Sequence, residues 1–94
     1  MITAYISIGN SDDKLTQAEW SHYVAELNHL IDKFATRVHG RWFSRPDDPW
    51  QNHCVCVEVE PEPFATLQGG LAGLRIGFRQ DSIAVAIVGE TRFI

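Results

Sequence analysis

Residues 9 to 14 read GNSDDK, an amide, a hydroxyl, two adjacent carboxylates and an ammonium in a place where glycine and asparagine alone would make a turn. A helix follows directly, so Asn10, Ser11 and Lys14 present donors beside the free N–H groups of a helix start, the kind of place that holds an anion. Asp12 and Asp13 have a second reading there, as carboxylates that gain from the positive end of the helix dipole. Gln80, Asp81 and Ser82 form another short polar run. It starts the last strand, and antiparallel pairing of the first and last strands sets it beside GNSDDK. The loop 45–52, RPDDPWQN, is expected at the opposite end of the strands from GNSDDK.

A second group, His39, Arg41, Trp42, Trp50, Gln51 and His53, gathers cations and aromatic planes around the middle of the chain. Such side chains stack on a base and pair with a phosphate, or simply cap a core. Catalytic signatures are sparse. There is no phosphate-binding loop and no HExxH, and the two Asp-Asp pairs lie in loops. A general base, His39 or His53 working with Asp12 or Asp81, is the one enzymatic arrangement the residues offer. Cys54 and Cys56 alternate in a strand and share a face, with Cα atoms about 6.6 Å apart, where a disulfide would be strained. His53 completes the string HCVC, yet zinc needs four ligands and no second pair occurs downstream. Reduced thiols are expected, with no metal and no cofactor.

The elements that must position these groups are easily read. Ile2, Ala4, Ile6 and Ile8 alternate with polar residues, the period of a half-buried strand. Thr16 with Glu19 makes a capping box, flanked by Leu15 and Trp20 at hydrophobic-staple positions. Trp20, Val24, Leu27, Ile31 and Phe34 then mark one face of a helix of about twenty residues. RWFSR, after His39-Gly40, is a short aromatic element. NHCVCVEVE is a strand with Val55, Val57 and Val59 on one face. Phe64, Leu67, Leu71, Leu74 and Phe78 stripe a second helix, and DSIAVAIVG is a strand with Ile83, Val85 and Ile87 inward. GETRFI is read as a short edge segment. The order strand, helix, strand, strand, helix, strand predicts an α+β class, a ferredoxin-like βαββαβ two-layer sandwich with an antiparallel sheet and both helices on one face.

That fold leaves a sheet face bare, carrying Tyr5, Ser7, Cys54, Cys56, Glu58, Ala84 and Ala86, almost without charge. A second copy is expected to cover it. Gly69, Gly73 and Gly77 form a small-residue ridge on the outer side of the second helix, an alternative surface for a homo-oligomer.

The chain is one domain, 1–94, with 45% hydrophobic residues and a net charge of −4. Its basic residues are scattered, which argues against duplex nucleic acid. No apolar run reaches the length of a membrane span and the opening lacks a basic n-region, so a cytoplasmic protein is expected.

The strings YISIGNSDDKLTQAEW, HGRWFS, WQNHCVCVEV and QDSIAVAIVGETRFI resemble a group of small uncharacterised proteins from actinobacteria and their phages. The resemblance brings no established activity and therefore no residue roles. It implies a phage-like setting, in which small antagonists of host defence sequester signalling nucleotides. Three functions are expected in order: a non-enzymatic homo-oligomer binding or sequestering a small, anionic, nucleotide-like ligand; a protein-binding inhibitor or adaptor; and a small enzyme.

Overall fold

The computed structural model describes residues 1–10 and 12–94; Ser11 lies outside the described residues. Six elements follow in the order β1 (Ile2–Gly9), α1 (Gln17–Phe34), β2 (Arg37–Phe43), β3 (Asn52–Val59), α2 (Pro61–Gly77) and β4 (Ala84–Ile87). The strands form one antiparallel sheet in the order β2-β3-β1-β4. The chain is thus α+β, a four-stranded sheet with two helices.

Alternation in β1 and β3 sends Ala4, Ile6, Ile8, Val55, Val57 and Val59 into the core. The helices meet them with Trp20, Tyr23, Leu27 and Ile31 from α1 and Phe64, Leu67 and Leu71 from α2, while Val24, Phe34, Leu74 and Phe78 pack at the margin. The α1 start is as its sequence dictates. The Glu19 N–H donates to Thr16 Oγ1 at 3.2 Å, the Thr16 N–H donates to Glu19 Oε1 at 3.0 Å, and Leu15 and Trp20 are both buried. The acid of the first helical turn is therefore Glu19, not Asp12 or Asp13, which precede the cap. The helices approach closely at Gly70, where an added Cβ would lie 2.9 Å from Leu30 Cδ1. At Gly69, Gly73 and Gly77 a Cβ would meet nothing within 4 Å among the described residues.

Three expectations change. β2 begins at Arg37 and runs through His39-Gly40, because a bulge at His39 lets Val38 pair with Val57 and Gly40 with Cys56. β4 is only four residues long, so Ile87, at the outer edge of the sheet, is exposed rather than inward. GETRFI forms no strand; the last contact of the main chain with β1 is the Val88 N–H donating to the Thr3 carbonyl at 2.9 Å. Among the described residues no helix is long and apolar enough to cross a membrane.

Candidate functional site

Antiparallel pairing puts the end of β1 beside the start of β3, with Gly9 opposite Asn52. The loops 10–16 and 44–51 therefore lie at the same end of the sheet and touch, contrary to the expectation from the sequence. The Asn10 N–H donates to the Gln51 carbonyl at 2.8 Å, and Asn10 Nδ2 donates to Gln51 Oε1 at 3.1 Å. Gly9 permits this approach, since a Cβ there would sit 2.7 Å from Asn52 Oδ1.

Asn10 is a structural residue. It is buried, its Oδ1 accepts from the Leu15 N–H and its Nδ2 donates to the Leu15 carbonyl, both at 3.0 Å, so one side chain closes the loop before α1. Gln51 exchanges paired amide hydrogen bonds with Gln17 on α1, at 2.8 and 3.0 Å. Both are committed to holding loops together.

Asp12 and Lys14 of GNSDDK do come together with Asp81, which lies in the turn before β4 and not in the strand itself. Lys14 Nζ lies 3.6 Å from Asp12 Oδ2 and 3.4 Å from Asp81 Oδ1, and it donates to the Arg79 carbonyl at 3.3 Å. Arg79 returns the link, donating to the Lys14 carbonyl at 3.4 Å and pairing with Glu19 at 2.7 Å. The Thr16 main chain, then Arg79, holds the Glu19 carboxyl below its ordinary value. Asp13 carries a positive φ of 57° and turns the chain, leaving Asp12 as the carboxylate that faces Lys14.

Above this braced junction opens a cleft of about 320 Å³ lined by Ser7, Ile8, Gly9, Asp12, Asn52, Gln80, Asp81, Ser82 and Ala84. Gln80 is buried in its wall, donating to the Phe78 carbonyl at 3.0 Å. Ser7 and Ala84 are register partners on the bare sheet face, so the cleft is continuous with that face. Two residues further along β1 stands Tyr5, half-exposed, its ring 6.3 Å from that of Trp42.

The aromatic and basic group around the hairpin is divided by the sheet. Arg41 and His53 face the helices. Arg41 donates from Nε to Asn28 Oδ1 and from a terminal nitrogen to Asp32 Oδ1, both at 3.0 Å. His53 is fully buried, stacked on Phe43 with 4.1 Å between ring centroids, and its Nε2 lies 3.4 Å from Asn28 Oδ1. Burial pushes the His53 imidazole below its usual value, partly opposed by the main chain of Trp42. His39 and Trp42 lie on the other face, with His39 Nε2 2.9 Å from Glu58 Oε1. Trp50 is exposed in the loop, apart from both. Among the described residues no group of three or more His, Cys, Asp and Glu side chains could hold a metal ion.

No protein-family model matches the chain, and no curated protein matches it. The site therefore rests on its own geometry.

Several partners in it carry no signal in the sequence. Arg79 reaches the Lys14 junction only because its positive φ of 58° turns the chain out of α2. Asn28 and Asp32 receive Arg41 only because the bulge turns Arg41 toward α1, which their residue types do not announce.

Proposed function

We propose that this chain is a non-enzymatic binding protein for a small nucleoside-like ligand, working as a homodimer closed over the bare sheet face. The strand order and the helices' place on one face support a ferredoxin-like βαββαβ arrangement, a fold that offers its opposite face for pairing. The observation that carries the ligand reading is that the Asp12–Asp81–Ser82 cleft takes Ser7 as one wall, two residues from Tyr5 on the same face of β1, where Tyr5 pairs with Trp42. Carboxylates and a serine accept from sugar hydroxyls, while aromatic rings stack on a base.

The charge of the cleft selects among nucleotide-like ligands. Two carboxylates surround one ammonium, and Arg41 and Arg79 are both committed to acidic partners. A phosphate gains little here, so the nucleoside part is the part recognised. The phage-like setting implied by the sequence resemblance suits sequestration, which needs binding without turnover.

Pairing is supported by composition. Strands of eight, seven, eight and four residues at about 3.3 Å each, about 4.8 Å apart, give a face of roughly 430 Å², or about 860 Å² for two copies. That is the area of a weak contact, so the uncharged face, rather than its size, carries the pairing.

The test is a thermal-shift panel of adenosine, guanosine, adenosine monophosphate and inorganic phosphate, with chromatography of the recovered ligand. A nucleoside at a hundred times its dissociation constant adds about 2.7 kcal/mol, or roughly 10–20 °C for a chain of this size. Asp81→Asn should reduce that shift and leave the free protein's melting temperature nearly unchanged, because Asp81 is highly exposed. A shift with phosphate alone, conversion of the ligand, or no shift at all would overturn the reading.

A further inference from the structure

Cys56 lies on the bare face, yet it is only 5% exposed. The reason is the rings beside it. β1 and β2 flank β3 and stand about 9.6 Å apart, but the Tyr5 and Trp42 ring centroids are 6.3 Å apart. The two rings therefore lean toward each other across β3. Trp42 lies back over Gly40, the register partner of Cys56, where an added Cβ would be 3.0 Å from the indole. Tyr5 is the other partner of Cys56, and both Cys56 and Cys54 are close enough to raise its phenol above the ordinary value. Two thiols on one strand face thus sit beneath an aromatic roof.

We propose that Cys54 and Cys56 form a two-thiolate site for a soft monovalent metal ion, with copper(I) as its probe. Thiolates select such ions. The spacing separates the outcomes open to the pair. With Cα atoms about 6.6 Å apart, a sulfur–sulfur bond of about 2.05 Å strains the strand. A linear sulfur–metal–sulfur bridge holds the two sulfurs roughly twice as far apart as the ~2.05 Å of a disulfide and asks for a smaller convergence of the side chains. His53 cannot join as a third donor because it faces the helices, which leaves a tetrahedral ion undersupplied. The indole and phenol add an apolar cover that keeps water and other donors from the ion. Binding releases the two thiol protons, forms two sulfur–metal bonds and transfers no electrons. The site lies within one chain, so its stoichiometry does not depend on whether the faces pair or the cleft is occupied.

The experiment is anaerobic titration of the whole chain with copper(I) against a chromogenic copper(I) chelator, with X-ray absorption on the loaded unmodified protein. One ion per chain and two sulfur neighbours are expected. Cys54→Ser and Cys56→Ser should each weaken binding by about 100-fold or more, and Trp42→Phe by about 10-fold, the scale of an outer contact. Binding that survives either serine variant, or oxygen and nitrogen neighbours at the metal, would refute the site. The absorption measurement decides even if a serine variant fails to fold.

Discussion

The outer side of α2 provides a quantitative test of which surface is free. Gly69 and Gly73 lie in the interior of the helix, both exposed, and a Cβ at either would meet nothing within 4 Å among the described residues. An interior glycine costs about 0.5–1 kcal/mol relative to alanine. Gly69→Ala/Gly73→Ala together should therefore stabilise the chain by about 1–2 kcal/mol, adding roughly 4–16 °C to the melting temperature. Gly70→Ala is the internal control. Its Cβ would sit 2.9 Å from Leu30 Cδ1 and 3.0 Å from Leu30 Cδ2. The helix-propensity gain there is offset by moving Leu30, and no net stabilisation is expected. Calorimetry at two protein concentrations, one low and one well above the dimer dissociation constant, makes the measurement. If the glycine ridge, rather than the sheet face, receives a second copy, the alanines stand in the interface and the gain shrinks or reverses as concentration rises. A fall in melting temperature at low concentration would refute the reasoning outright.

Two predictions concern pH. Tyr23 is fully buried, its hydroxyl has no hydrogen-bond partner among the described residues, and burial pushes its phenol from 10.0 up to about 12. The unfolded chain ionises first, so stability present below pH 10 is lost between about 10 and 12, on the order of 2 kcal/mol. Tyr23→Phe should remove that alkaline loss and raise stability at neutral pH, as urea titrations at pH 7 and 11 would show. His53 works from the other side: burial lowers its folded value, so its neutral form is fully compatible with folding above the unfolded value of 6.5, and stability falls as pH drops below it. His53→Gln should flatten the part of the acid limb just below pH 6.5, and an unchanged limb would assign the acid loss to carboxylates such as Glu19.

The fold was legible where one local rule acts alone. Alternation placed Ala4, Ile6 and Ile8, and the capping box placed the start of α1 to the residue. Tyr23 escaped because a stripe drawn through Trp20, Val24 and Leu27 steps over it, although it lies three residues from Trp20 and is more deeply buried than Val24. The convergence of Lys14 with Asp81 followed from strand pairing. The meeting of Asn10 with Gln51 follows from pairing too, once β1 is set antiparallel to β3. Arg41 and Trp42 were grouped by type, but neighbours in a strand point to opposite faces, and so the sheet separates what composition had joined. Which of the two goes to which face depends on the bulge, and no residue type announces it.

The bulge at His39 acts as a parity setting for everything after it in β2. Were His39 taken into the ladder opposite Cys56 in place of bulging out, Arg41 would stand opposite Cys54 and Trp42 opposite His53. A guanidinium would then project over the thiols, and the indole would be driven against α1 in place of the Arg41–Asp32 pair. Deleting His39 does the opposite: Gly40 would follow Val38 directly and keep its place opposite Cys56, with Arg41 opposite Val55 and Trp42 opposite Cys54. The bulge absorbs one residue, so the aromatic roof survives loss of His39 and is lost only if the bulge disappears while His39 stays.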